Sequence, residues 1–261
     1  CSSDLSGRGG NGGSLTVSSA AGDLNVGALD VSGGAGKGDG NGGAAGSISL
    51  NATGGSRILN GSITASGGDG AGVGQGGAAA SLSLGNIRVG APNVAITAVG
   101  GANGVAATGR GADGNLTFSG AVTGTTAGAN SLEIDVAAGT VNFNGAVGAT
   151  RLGQITIQNA RNVTFGSTLA ANKFVQNASV PVGGIFTTAN QDGTTTFTGA
   201  VTLAGTGTVL DLTGYNFTFG GGVTANTGSV NGVVNGVFAV NTAGLTLGGN
   251  LTLAAGAVPG V

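Results

Sequence analysis

The sequence predicts an all-β protein that folds as an elongated parallel β-helix (a β-solenoid), with glycine-rich loop arms in its N-terminal half. Two observations support this prediction: a motif repeated at a nearly constant step, and strands in which apolar residues alternate with small polar ones. Each copy of the motif runs from glycine-rich sequence into a strand, and the first core residues of the four strands are Leu15, Ile48, Leu82 and Leu116. They lie 33, 34 and 34 residues apart, a period typical of stacked structural units.

The composition favours a folded β protein. Apolar residues make up 40% of the 261 positions, and charged residues only 7%, against roughly 25% in an ordinary soluble domain. A disordered chain is normally highly charged and poor in β-branched residues, whereas Val, Ile and Thr occur throughout this one. These residues favour strands.

Charge and cysteine content limit the partners. The net charge is -2, and the eight basic residues are spread along the chain without a cluster, so we expect no nucleic acid partner. No apolar stretch reaches the ~18 to 20 residues of a membrane helix. The single cysteine, Cys1, opens the sequence CSSD, which resembles the start of a mature bacterial lipoprotein; the alternative is a fragment boundary. Membrane contact is expected only if Cys1 is lipidated.

Residues 1–116 are predicted to form coils with repeats of about 34 residues that carry the glycine arms. In the first unit we expect strands near 14–18, 24–26 and 28–32, followed by an arm at 33–46; the next arm covers 67–80. Glycine permits tight turns and close backbone approach. The arms are therefore expected either to pack against each other or against neighbouring chains, or to remain flexible surface loops.

Residues 117–261 are predicted to form coils of about 20–25 residues with a phenylalanine at a recurring position. Removing an arm of about 14 residues from the longer repeat leaves about 20, so both halves fit one kind of coil with three short strands. An insertion that contains Pro181 is expected near 170–190. The recurring residues, expected to stack as a ladder at one corner, are Phe118, Phe143, Phe165, Phe197 and Phe219.

About ten coils, stacked ~4.8 Å apart, would give a rod roughly 50 Å long. Asparagines are expected at turns, where they tolerate left-handed backbone angles, and some are expected to hydrogen-bond from coil to coil. The candidates are Asn142, Asn144, Asn226 and Asn231.

Segments such as TTTFTGAVTLAGTGTVLDLTGYNFTFGGGVTA and GLTLGGNLTLAAGA resemble the shaft repeats of filamentous-haemagglutinin-like adhesins and autotransporter passengers. The resemblance covers roughly residues 115–255 and implies a right-handed β-helix exported to the cell surface as a stalk, adhesin or fibre. The Asn-Pro-Asn motif typical of the family's secretion domain is not found, and Pro92 lies in APNV instead. The resemblance therefore implies a shaft segment, from which the glycine-arm half departs.

Catalytic patterns are few. The chain contains no histidine and its cysteine is terminal, so the usual nucleophilic triads and dyads cannot form. Glu133 and Asp135 lie two apart in a predicted strand and point to one face, as acids do in glycoside hydrolysis. Arg151 or Arg161 would lie one or two coils away. The alternative is a solvated outer face, and we expect no enzyme, no catalytic residue and no cofactor.

Metal and ice-binding patterns are also weak. GGAGKGDGN and GGDGAGVGQ differ in register from the calcium-binding nonapeptide, so no metal site is expected at Asp39, Asp69 or Asp113. The threonines at 194, 195, 196 and 198 would need equivalents on successive coils to form an ice-binding face. Strand propensity explains them.

The function predicted from sequence is structural: an extracellular β-solenoid, part of a bacterial surface adhesin or of a self-assembling filament. Neither end resembles a cap, so the partners expected are further copies of the chain or neighbouring coils of a longer one, with a host or surface glycan as a further possibility. The alternative function is a carbohydrate-binding or carbohydrate-cleaving β-helix protein.

Overall fold

The computed structural model describes residues 6–107, 109–177, 193–234, 236–240 and 244–255. These residues form 23 β-strands and no helix. The strands pair in two sheets, one of sixteen strands and one of seven, and each pairing between them is parallel. The fold is therefore all-β and β-helix-like, as the sequence predicts.

The seven-stranded sheet, here called the phenylalanine sheet, contains one strand from each of seven successive repeats. In spatial order its strands are β5 (Leu82–Leu84), β8 (Leu116–Phe118), β11 (Thr140–Phe143), β13 (Asn162–Phe165), β15 (Thr194–Phe197), β18 (Asn216–Phe219) and β21 (Phe238–Val240).

The sixteen-stranded sheet, here called the large sheet, contains two ladders of parallel strands. Four of its strands connect different ladders at their two ends: β1 (Leu15–Val26), β3 (Ile48–Leu59), β12 (Val147–Asn159) and β14 (Leu169–Gln176). One ladder also contains β6 (Ile87–Val89), β9 (Val122–Gly124), β16 (Val201–Leu203), β19 (Val223–Ala225) and β22 (Leu245–Leu247). The other contains β2 (Leu29–Asp30), β4 (Ile63–Thr64), β7 (Asn93–Thr97), β10 (Ser131–Asp135), β17 (Gly207–Gly214), β20 (Gly228–Val234) and β23 (Leu251–Ala255).

The pairing register follows the sequence repeat. Leu15 of β1 pairs with Ile48 of β3, and Leu82 of β5 pairs with Leu116 of β8. Strands β3 and β5 are also in contact, which connects the two pairs. The strands predicted at 14–18 and 24–26 are one strand, β1, because the chain bends at Gly22 (φ +80°) without leaving the ladder. The β-strands of the described residues occupy nine levels, where about ten coils were predicted.

Inward-facing residues of all three ladders form one apolar core. The predicted phenylalanine ladder is confirmed. The rings of Phe118, Phe143, Phe165, Phe197 and Phe219 stack with centroids 4.4–4.9 Å apart and interplanar angles of 10° or less. Stacked rings add to burial about 0.5–1.5 kcal/mol per pair, so the ladder ties successive levels together.

The predicted turn position is confirmed for Asn144 and Asn226, which lie between strands, and is wrong for Asn142 and Asn231. Among the described residues the non-glycine position with positive φ is Ala137 (φ 45°). Asn142 and Asn231 lie within strands β11 and β20, whose extended backbone does not need such angles. Asn231 does reach the preceding coil, where its Nδ2 donates to Asp211 Oδ1 at 3.2 Å. Of the predicted insertion, Leu169–Gln176 is strand β14, and Pro181 lies outside the described residues.

Candidate functional site

The glycine arms form a hydrogen-bonded stack. In the first arm, at 33–46, the backbone N–H groups of Gly33, Gly36, Gly42 and Ala45 donate to carbonyls 33 residues further on, in or beside the arm at 67–80, at 2.8–2.9 Å. A second set of backbone hydrogen bonds has donors that are also spaced by multiples of three residues. Gly34 N donates to Gly10 O, Gly43 N to Gly34 O, and Gly46 N to Val31 O. A period of three is that of polyproline II, which has three residues per turn and no internal hydrogen bonds. The arms therefore pack against each other, one of the two possibilities that the sequence leaves open.

Close approach explains the glycine content of the stack. A Cβ atom on Gly43 would overlap the carbonyl group of Gly10 on the preceding arm, and one on Gly77 would overlap the carbonyl group of Gly43. At the tip, Gly38 has φ +60° and turns the chain back, a conformation that favours glycine. The stack thus needs glycine for contact along its arms and for the turn at its tip.

The candidate calcium ligands bind backbone N–H groups instead. Asp39 Oδ1 accepts from Val73 N at 3.3 Å, and Asp69 Oδ1 accepts from Ala102 N at 2.7 Å. Each bond joins one arm to the next. No group of three or more His, Cys, Asp or Glu side chains suited to a metal ion lies within the described ranges.

Asp113 has a similar role at the last arm. Its Oδ1 accepts from Gly100 N at 2.8 Å, and its Oδ2 accepts from Ala138 N at 3.1 Å. The same carboxylate pairs with Arg110 at 2.8 Å, in a site where the two side chains are 9% and 19% exposed. Arg110 also donates to Gly100 O at 2.8 Å, so this pair fixes the base of the arm.

The first arm begins beside another carboxylate. Asp30 Oδ1 accepts from Ser32 N at 2.9 Å. Hydrogen bonds from the Ser32 side chain and backbone lower the pKa of Asp30 below its ordinary value, because they stabilise the ionised form.

Glu133 and Asp135 lie on one outer face of β10, as predicted, and both are half-buried. Glu133 Oε1 accepts from Gln158 Nε2 at 2.9 Å, and Asp135 Oδ2 accepts from Asn159 Nδ2 at 3.1 Å. Ala137 N donates to Asp135 Oδ1 at 3.0 Å. The two acids therefore belong to a polar ladder that connects adjacent strands.

The predicted basic partners lie on neighbouring levels. Arg151 is in β12, and its buried Nε has no hydrogen-bond partner in the structure. Arg161 lies between β12 and β13, where its backbone N donates to Gly139 O at 2.9 Å. Ion pairs are seen elsewhere in the described part of the chain, at Arg110–Asp113 and at Arg88–Asp23.

Sequence reasoning missed a row of asparagines that bridge levels. Asn115, Asn162 and Asn216 each accept, through Oδ1, a backbone N–H on the next level, from the first residue of the next strand or, for Asn216, from Val237 just before it, at 2.8–3.1 Å. Their spacing follows the phenylalanine repeat, which is the signal that identifies them. A second missed feature is a buried pair in which Thr195 Oγ1 donates to Gln176 Oε1 at 2.8 Å.

Comparison with known proteins returned no match: no family model, no curated protein and no solved structure is similar to this chain. Among the described residues there is also no helix of the length and apolarity needed to cross a membrane.

Proposed function

We propose that this chain is a right-handed parallel β-solenoid that acts as a structural segment of a bacterial surface adhesin or of a self-assembling extracellular filament. The main support is the matched register of three ladders, in which pairing between levels replaces a compact interior. Such an architecture is stiff and can be extended by adding levels. The resemblance of residues 115–255 to adhesin shafts supplies the right-handed winding and the location outside the cell.

The hydrogen bonds between the glycine arms are further evidence for a structural role. They add backbone bonds between levels beyond those of the strands. The carboxylates that a metal-binding proposal would need are acceptors for contacts of the arms, and Glu133 and Asp135 accept from side-chain amides of the next level. We therefore propose that the chain is not an enzyme and that its arms stiffen the N-terminal half.

Electron microscopy of the purified protein tests this proposal. We expect unbranched fibres, or straight rods whose reconstructed density shows three strands per turn and a right-handed winding. Compact globular particles would contradict the solenoid, and a left-handed winding would contradict the handedness.

The second candidate is a carbohydrate-binding or carbohydrate-cleaving β-helix, favoured by the shared face of Glu133 and Asp135. The double variant Glu133→Ala, Asp135→Ala separates the two functions. A structural protein keeps its fibres or rods, and wild type and variant alike release no reducing sugar from polysaccharides. Hydrolysis by the wild type that the variant loses would establish the second candidate instead.

A further inference from the structure

We propose that the outer face of the phenylalanine sheet binds a second copy of this chain side by side. This uncharged face has a central column of outward residues, aligned by the strand register. Its members are Ser83, Thr117, Asn142, Thr164, Thr196 and Thr218. A second column, at the start of the strands, consists of Thr140, Asn162, Thr194 and Asn216. The inference goes beyond the proposed structural role, which requires contacts along the solenoid axis only.

This face differs from the rest of the solenoid in that its strands carry no charged residue. The phenylalanine sheet has no charged residue in any of its seven strands, and the charged residues in described strands all lie in the large sheet. They are Asp23, Asp30, Arg57, Arg88, Glu133, Asp135, Arg151, Lys173 and Asp211. Charged surfaces keep proteins apart, so like-to-like docking is least opposed at the uncharged face.

The side chains of the face are ordered before any partner arrives. The bridging asparagines are fixed by backbone N–H groups, as at Asn162, whose Oδ1 accepts from Thr194 N at 3.1 Å. Thr164 and Thr196 lie on adjacent strands and are half-buried. Short, β-branched side chains held in this way lose little entropy on binding.

The glycine arms enlarge the face. Gly12 N donates to Ala44 O and Leu15 N to Ser47 O, both at 2.8 Å, so the returning arm continues the hydrogen-bond ladder of the strand. Beside the strands its exposed side chains, such as Asn11 and Ser14, are also small and uncharged, whereas the charged Arg8 and Asp39 are exposed nearer the tips of the arms. The seven strands of the phenylalanine sheet, the first halves of β1 and β3 that continue this column and four levels of arm give about 900 Å² per copy, from a spacing of ~4.8 Å and a rise of ~3.1–3.3 Å per residue. A standard stable interface needs about 800 Å² per partner.

A second copy fits this surface because both surfaces repeat at the same step. Identical ladders of small polar side chains interdigitate well when two sheets meet face to face. A two-fold axis that lies in the plane between the two faces makes the contact self-complementary and closed. The expected product is a side-by-side dimer, within which each solenoid remains free to extend along its axis.

Sedimentation velocity of the full chain over a range of concentrations tests the proposal. We expect a monomer–dimer equilibrium for the wild type. The variant Thr164→Arg, Thr196→Arg should raise the dissociation constant at least tenfold, because it places like charges opposite each other. The matched control is Thr202→Arg, Thr224→Arg, which changes an adjacent threonine pair on the outer face of the large sheet and should dimerise as the wild type does.

Circular dichroism establishes whether each variant is folded. If the first variant does not fold, it is replaced by a second double variant on the same face, Ser83→Arg, Thr117→Arg. A wild type that remains monomeric, or face variants that dimerise unchanged, would overturn the proposal. Adsorption of a monomeric wild type to ice or crystalline polysaccharide, lost in the face variant, would assign the face to another ligand and also overturn it. Fibres seen by electron microscopy without lateral pairing would leave the proposed function intact.

Discussion

At the scale of single residues, the arms are held together by contacts that leave no room for a side chain. Gly43 faces the carbonyl group of Gly10, whereas the Cα of Gly10 faces open space. Neither glycine has a positive φ. The two positions lie on adjacent arms and differ in contact while sharing residue type and backbone class, which makes them a matched pair for mutation.

The variant Gly43→Ala is expected to destabilise the arm stack by about 1–3 kcal/mol, because the added methyl forces adjacent arms apart. The control Gly10→Ala should be neutral or stabilising by about 0.4–1 kcal/mol, since alanine restricts the unfolded chain. Hydrogen exchange of the amides of Gly42 and Gly43, read with the thermal midpoint, measures both effects. Equal behaviour of the two variants would contradict close packing of the arms.

A second residue-scale prediction concerns the buried pair of Thr195 and Gln176, which are 2% and 8% exposed. Thr195→Val removes the donor to Gln176 Oε1 and should cost about 1–3 kcal/mol, because a buried acceptor loses its partner. The double variant Thr195→Val, Gln176→Leu should recover most of this loss, since both polar groups are gone. Urea unfolding followed by circular dichroism measures both. Additive losses in the double variant would show that the pair does not act as a unit.

At the scale of elements, the phenylalanine stack links five levels through one column. Phe165 lies between Phe143 and Phe197, with centroids 4.4 and 4.9 Å away, and the edge of Phe174 packs against it at 5.7 Å. Phe238, near the end of the core, is only partly buried and makes a tilted contact with Phe219 at 5.5 Å. The cost of losing a ring therefore depends on its level.

Phe165→Ala is expected to lower stability by about 3–5 kcal/mol, because it opens a cavity among rings that cannot collapse into it. Phe238→Ala should cost clearly less, since its ring is partly solvated already. Chemical unfolding of the two variants in parallel gives the comparison. A larger loss for Phe238 would contradict a continuous stack centred on the middle levels.

The strand ladders and the ring stack were the features most readily predicted from the sequence, because both follow its repeat. The step between Leu15 and Ile48, and the recurrence of Phe118 and Phe143, give the ladders and the ring stack, because inward positions must align for parallel strands to pair. The hydrogen bonds of the arms could not be predicted, since Gly-rich sequence carries no side-chain pattern to set register. The partner of Glu133 was missed for a related reason: Gln158 lies on the next strand, past a register shift.

At the scale of the whole molecule, the apolar core runs through the described levels as one column, in which each level packs against its neighbours. Stability is then close to a sum of level and interface terms. The described levels differ: Leu59, Ile96 and Leu132 at inner levels are at most 1% exposed, whereas Leu251 and Leu253 are 45% and 44% exposed. Opening is therefore expected to begin at the outer levels and to spread inward.

Native-state hydrogen exchange of the chain measures this order. Amides of β8, β11 and β13 should be the most protected, those of β22 and β23 should exchange faster by orders of magnitude, and β1 should fall between. Phe165→Ala should lower protection at its own and adjacent levels before it affects β3, because coupling passes from level to level. Uniform exchange from all levels would instead indicate global two-state opening and would contradict the additive model of the solenoid.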